Sequence, residues 1–324
     1  MQISGGVQLG GGVKFTPPPA GPVNYDGNLN FGSSTVLDSS VGGYSNGFDS
    51  AWDSVNSKII VASANYDGGA PGGTLTEGYI SIGSVTGNSI SYGTAVKFSD
   101  QATYGQIESD CVAVCYDSNA QKGVVVWAAG SGPGISASVY ARTITVSGTT
   151  CTLGSVTTLI VCQARYVRAT YDSTNNKIVV MFQNDFRVGT SDDKHGYSFV
   201  GTVSGTNISF GSLVKFTSNK VYNLSTCYDS TNGKIVVAYW DHTDYNGKVQ
   251  VGTVSGNSIS WGSANTGTGF TPLSTSMAYD SDEQRIVISY SHRYNSGYGT
   301  SIVGEISGSS ITFGTAVTFS SGSA

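Results

Sequence analysis

The chain has 324 residues, a net charge of -5 and only 11% Asp, Glu, Lys and Arg, less than half the roughly 25% of ordinary soluble domains. So few cations leave no basic stripe to meet phosphates, which excludes a nucleic-acid binder, and no apolar run approaches the roughly 20 residues of a membrane helix. Apolar content is ordinary at 39% and strongly patterned, which excludes a disordered chain.

Residues 1–27 read as an arm. The start, MQISGGVQLGGGVKF, has no basic stretch followed by an apolar one, so no secretory leader is expected. Ile3 to Phe15 alternates apolar and small residues, as a short strand would. Pro17, Pro18 and Pro19 then block ladder pairing and stiffen an extended spacer. A strand-forming tip on such a stalk suits docking onto another chain by strand addition. The rest, 28–324, reads as one repeat domain.

Two signatures recur along that domain. One is a box: AWDSVNSKIIVAS, CYDSNAQKGVVVW, TYDSTNNKIVVMF, CYDSTNGKIVVAYW and AYDSDEQRIVISY. Its aspartates are Asp53, Asp117, Asp172, Asp229 and Asp280, spaced 51 to 64 apart. The other runs NFGSS, SYGTA, TLGSV, SFGSL, SWGSA and TFGTA, with Gly32, Gly93, Gly154, Gly211, Gly262 and Gly314. There are five boxes and six glycine motifs, the extra one N-terminal.

Each unit reads as four strands. In the fourth unit these are Leu224–Tyr228, Lys234–Trp240, Val249–Val254 and Ser258–Trp261, with turns at Asp-Ser-Thr-Asn-Gly and Ser-Gly-Asn. The run Ile235-Val236-Val237 is continuous rather than alternating, so its strand is buried on both faces. No helical period is visible. Four-stranded units at this period, packed face to face, predict an all-β, five-bladed β-propeller of antiparallel blades. The sixth glycine motif is expected to pair in the blade that holds the C-terminal strands, joining the chain's ends.

The box aspartates read as scaffold. Asp opening a turn accepts from backbone N–H groups ahead of it, and Asn-Gly supplies positive φ. Every unit needs that turn, whereas a catalytic centre needs one. The cation five residues on (Lys58, Lys122, Lys177, Lys234, Arg285) is expected to face the carboxylate. The aromatic ten residues on (Trp127, Phe182, Tyr239, Tyr290) reads as core, and Ser63 breaks that rule in the first unit. Five cysteines without CxxC spacing, two of them (Cys115 and Cys227) at one repeat position, read as small buried residues rather than a disulfide or zinc set.

The box resembles the hairpins of kelch and Asp-box propellers, although the kelch double glycine and the Asp-box Ser-x-Asp-x-Gly-x-x-Trp are absent. Units such as YDSTNNKIVVMF followed by GTVSGTNISFGS, and the start GGVQLGGGVKF, are similar to repeat proteins of phage virions, especially tail-fibre and head-fibre-like proteins of marine phages. The likeness covers residues 28–324 and about 15 residues at the start. It implies a structural or host-contacting virion protein, made in the host cytoplasm, whose arm joins other virion proteins.

Catalytic and metal constellations are thin. His195, His242 and His292 fall in loops of different units. The loop Asp241–Gly247 has calcium-like oxygens at the wrong spacing and lacks the bidentate Glu. Arg165, Arg168, Arg187 and Arg293 could supply a sialidase-like arginine clamp, but no supporting motif accompanies them. No two of Glu77, Glu108, Glu283 and Glu305 share a motif, and a glycosidase needs two close carboxyls. No metal, cofactor or catalytic residue is expected. The loops after each second strand and those joining units should share one rim. There Tyr66, Tyr104, Arg165, Tyr166, Tyr222, His242, Tyr245, Arg293 and Tyr294 are the candidate ligand contacts, since Tyr gives rigid amphipathic area at low entropy cost. The function expected is a non-enzymatic, surface-displayed virion adhesin for host glycan; a glycan-active propeller enzyme and a free lectin are the alternatives.

Overall fold

The computed structural model describes residues 47–66, 75–130, 137–186, 194–267 and 269–321. The arm and the sixth glycine motif lie outside the described residues. Blade one comprises β1 (Gly47–Asp53), β2 (Lys58–Tyr66), β3 (Leu75–Thr86), β4 (Ser89–Tyr92) and β5 (Val96–Asp100). The helical turn α1 (Gln101–Tyr104) follows, the one helical element among the described residues. Blade two is β6 (Ile107–Asp117), β7 (Lys122–Ala129), β8 (Ser138–Ser147), β9 (Thr150–Leu153) and β10 (Thr157–Val161). Blade three is β11 (Gln163–Asp172), β12 (Lys177–Phe186), β13 (Gly196–Ser204), β14 (Asn207–Phe210) and β15 (Val214–Thr217). Blade four is β16 (Val221–Asp229), β17 (Lys234–Asp241), β18 (Asn246–Ser255) and β19 (Ser258–Trp261). Blade five is β20 (Pro272–Asp280), β21 (Arg285–His292), β22 (Gly299–Ser307), β23 (Ser310–Phe313) and β24 (Val317–Ser320).

These form five antiparallel sheets of consecutive strands, so the chain is a five-bladed propeller. The fourth strand differs from expectation. In blades one, two, three and five the outer edge is split into two short strands that both pair with the long third strand. In blade four Asn265 makes the second contact through a bridge to Val249. The motif glycine is the bend between the two halves, and its N–H returns to the third strand, as from Gly154 to the Thr143 carbonyl at 2.9 Å. Blade five fills its own edge with β23 and β24.

Every box makes the same hairpin, with Asp opposite the cation in register, from Asp53–Lys58 to Asp280–Arg285. Asp229 shows why the acid recurs. Its Oδ1 accepts from the N–H groups of Thr231 (2.9 Å) and Asn232 (3.0 Å), and its Oδ2 accepts from the Asn232 amide (2.8 Å). Asp53 and Asp172 repeat all three bonds. The carboxylate is thus satisfied by its own turn, and the lysine turns elsewhere. Lys58, Lys177 and Lys234 each donate at 2.7 Å to a third-strand hydroxyl, on Ser84, Thr202 and Thr253. Arg285 pairs with Glu305 on β22. The expected Asp–cation pairing is therefore corrected: the cation ties the box hairpin to the third strand.

Between blades the boxes are chained. The box tyrosine of one blade reaches the turn of the blade before it: Tyr171 to Asn119, Tyr228 to Thr174 and Tyr279 to Thr231. The continuous apolar runs lie between sheets as the pattern requires. Ile178–Phe182 and Ile235–Tyr239 are fully buried, and Trp127, Phe182, Tyr239 and Tyr290 are core residues. All five cysteines are buried. Burial drives the Cys115 and Cys227 thiols far up from their ordinary range, so both stay protonated and inert.

Candidate binding site on the rim

The two loop sets do share a rim. The His242 N–H, after β17, bonds the Lys220 carbonyl of the segment joining blades three and four, at 2.8 Å. The Arg293 N–H, after β21, bonds Thr271 of the next joining segment at 2.8 Å.

Local backbone geometry aims side chains there. The first strands of blades two, three and four each carry a bulge, marked by register shifts before Val112, Arg168 and Ser225. At these bulges Asp110, Tyr166 and Asn223 adopt left-handed φ of 58°, 52° and 54°. Non-glycine residues rarely do so, and bulges that re-aim a side chain gather near binding sites. Tyr166 is thereby turned toward blade four. Tyr245 is left-handed too, at φ 59° in the tight turn between β17 and β18.

Six predicted residues come together at blades three to five. Tyr166 meets Tyr222 edge-on, with ring centroids 6.2 Å apart. Tyr222 lies 5.5 Å from both Trp240 and His242, and His242 lies 5.1 Å from Trp240 and 5.3 Å from Tyr245. The Arg293 guanidinium covers the Trp240 ring at 4.2 Å, and Lys194 approaches the Tyr222 ring at 5.9 Å. Arg165 closes the edge through an ion pair with Asp185 at 2.8 Å, which Lys194 also joins at 3.4 Å.

Trp240 is the centre of this patch, and the sequence reading missed it. It directly follows the core residue Tyr239, so it faces the other way. The other boxes carry Ala64, Ala128, Gln183 and Ser291 at that position; an aromatic there in one blade alone was the available signal. Its ring is almost wholly buried, and its Nε1–H has no hydrogen-bond partner. A buried donor left unpaired carries a cost that a ligand oxygen would relieve.

The remaining predicted contacts lie apart. Tyr104, partly buried, packs edge-on against Trp127 and Tyr140, at 5.9 and 5.1 Å, beside the core of blades one and two. Tyr294 is exposed beside Arg293. The Tyr66 side chain and Arg187 lie outside the described residues. The described arginines do not form a clamp: Arg165 serves Asp185, Arg293 stacks on Trp240, and Arg168 lines the axial cavity. The histidines also part, His195 to Lys215 and His292 to Thr271. Among the described residues no group of three metal-ligating side chains forms. In the calcium-like loop, Asp241 accepts from Asn219 and Thr243, and Asp244 pairs with Lys248. The carboxylates around the patch are thus engaged by neighbouring amides and cations.

An axial cavity of about 200 Å³ is a second concave place, lined by residues of all five first strands. Asp49 and Arg168 face it with Ser225, whose buried Oγ has no partner. Burial pushes the Asp49 carboxyl up to about 6, against the Val114 and Ser50 amides and the Arg168 charge, which pull it down.

No protein-family model matches this chain, and no curated protein matches its sequence. Solved structures resemble it in shape. A Bacteroides fragilis protein assigned as a 6-phosphogluconolactonase is 9% identical with a TM-score of 0.50, over 86% of this chain and 80% of its own. The exo-β-1,3-galactanase of Phanerochaete chrysosporium is 10% identical with a TM-score of 0.44, over 67% of this chain and 51% of its own. The periplasmic gluconolactonase of Pseudomonas aeruginosa is 8% identical with a TM-score of 0.43, over 87% and 96%. The chain spans about half the galactanase's length. Some of these proteins are named as enzymes. At such identities the likeness concerns the fold alone.

Proposed function

We propose that the chain is a non-enzymatic phage virion protein, displayed on the particle surface, that holds host glycan on the rim of blades three to five. The observation that carries the binding reading is the Tyr222–Trp240–His242–Tyr245 cluster with Arg293 over Trp240. Aromatic faces take the C–H faces of sugar rings, while phenol, indole and guanidinium edges donate to their hydroxyls. The virion placement rests on the repeat resemblance and on a chain rich in Gly, Ser, Thr and Tyr and poor in Lys and Glu.

A glycan array followed by titration calorimetry tests the binding. Wild-type protein binds a host-surface glycan, and Trp240→Ala weakens that binding at least tenfold. Retention of binding by Trp240→Ala, or absence of binding to any host glycan, would sink the reading. Mass spectrometry of purified particles separates a virion protein from a free lectin. The enzyme alternative has one observation in its favour, the protonatable Asp49 in the axial cavity. A turnover screen on glycosides and lactones, with Asp49→Asn as control, decides between them.

A further inference from the structure

The rim cluster has donors to spare and few acceptors. Arg142 and Arg168 donate to backbone carbonyls, and Arg165 and Arg285 pair with carboxylates. Arg293 differs. Its guanidinium lies over the Trp240 ring at 4.2 Å, and among the described residues nothing accepts its side-chain N–H groups. The Nε1–H of that same indole has no partner either, on a residue only 5% exposed. Guanidinium and indole N–H groups donate and cannot accept. Two donor-only groups therefore meet here without an acceptor.

The described carboxylates of the patch are already taken. Asp185 pairs with Arg165 and Lys194, Asp244 pairs with Lys248, and Asp241 accepts from the Asn219 amide and the Thr243 N–H. Arg293 thus keeps a positive charge with no counter-charge bonded to it, in a chain whose net charge is -5. Water can serve a mobile surface cation, but this one is held. Its own N–H bonds the Thr271 carbonyl at 2.8 Å, the His292 N–H bonds the Tyr298 carbonyl at 2.9 Å, and the Gly297 N–H returns to the His292 carbonyl at 3.1 Å. The loop is tied on both sides of Arg293, and the indole fixes the plane of the guanidinium. A fork held in this way loses little further freedom when it binds.

We infer that the glycan taken by this rim carries a carboxylate, as a uronic acid ring does, and that Arg293 grips it. This rests on the glycan reading of the rim given above. The planar guanidinium matches the two oxygens of a carboxylate with paired, charge-assisted hydrogen bonds. Tyr222 and the half-exposed Tyr245 offer their faces to the ring itself. The aromatic faces thus serve any sugar, and Arg293 selects the acidic one. A neutral sugar would bring it hydroxyls alone, which are weaker acceptors without charge.

The test uses matched probes on the full-length protein. Oligogalacturonate and oligoglucuronate are each titrated against the same oligomer with its carboxylates reduced to alcohols. The acidic member of at least one pair should bind about tenfold tighter, the lower range for a hydrogen bond to a charged group. Arg293→Gln should bring that ratio close to one, with the melting temperature unchanged because the side chain bonds to nothing else. Equal or tighter binding of the reduced oligomers overturns the inference. So does a ratio that survives in Arg293→Gln, or failure of every acidic oligomer to bind. A galactose 6-sulfate oligomer that outbinds the galacturonate overturns the assignment to a carboxylate. Equal binding of both members of a pair, lost in Trp240→Ala, sinks this inference and leaves the glycan reading of the rim standing.

Discussion

The Tyr228 hydroxyl of blade four donates to the Thr174 Oγ1 of blade three at 2.6 Å, and the Thr174 N–H donates back to it at 3.1 Å. One side chain thus closes the box turn of its neighbour. Tyr228→Phe should cost about 1 kcal/mol, the usual net value of such a bond. Asp229→Ala should cost about 3 kcal/mol, because it strips three donors of their acceptor. Urea titrations of both variants measure this. Equal losses would mean that the turn is not held by its carboxylate.

The fifth position of each box is left-handed: Ser57, Gln121, Asn176, Gly233 and Gln284 have φ between 54° and 62°. Only Gly233 suits that conformation without strain. Gly233→Ala should cost about 1 kcal/mol. Gln121→Gly, at an exposed side chain, should gain about 0.5 kcal/mol, after the added freedom of the unfolded glycine is subtracted. A thermal melt that ranks them the other way contradicts the turn geometry.

Asp49 sets a pH dependence. Its carboxyl rises from 3.8 to about 6 on folding, so between those values the folded state binds more protons than the unfolded one. Stability from this group is complete below about pH 4 and is lost as pH rises through 6, by about 3 kcal/mol in all. The measurement is the change in urea midpoint between pH 4.5 and 7.5, compared in wild type and Asp49→Asn. The variant should lack this component of the change; identical changes in both proteins would refute it.

The architecture was legible because each unit repeats what it needs. Ser258–Trp261 is read at its true bounds, and Lys234–Trp240 falls one residue short of the strand it names. The box aspartates were legible for the same reason, since a turn bonds to residues two and three ahead. What escaped depends on neighbours distant in sequence. Lys234 finds Thr253, and Tyr104 finds Trp127 and Tyr140. Gly93, Gly154, Gly211 and Gly262 recur where a carbonyl of the next blade lies over each, which no local pattern reveals. At the rim, the Tyr, His and Arg members were visible as loop residues. Trp240 hid behind the core residue beside it, and the bulge that turns Tyr166 has no sequence marker.

If the proposed virion role holds, the rim and the arm should separate in function. The rim cluster is rigid, because Tyr222 and Trp240 are opposed in register across β16 and β17, and Tyr245 closes a turn beside them. Truncating Tyr222 and Tyr245 to Ala removes contact area without opening the core, for Tyr239 and Leu224 remain buried on the other face. Single sites of this kind bind weakly, and many copies on one particle raise avidity. Tyr222→Ala combined with Tyr245→Ala should therefore leave particle incorporation unchanged and reduce host adsorption several-fold. Deleting residues 1–16, which leaves the segment from 23 onward in place, should do the opposite: a soluble, folded propeller that retains glycan binding but no longer joins the particle. Particle composition by mass spectrometry and adsorption rate are the two readouts. Normal assembly of the truncated protein, or parental adsorption by the tyrosine variant, would show that anchoring and recognition are not divided between these two parts of the chain.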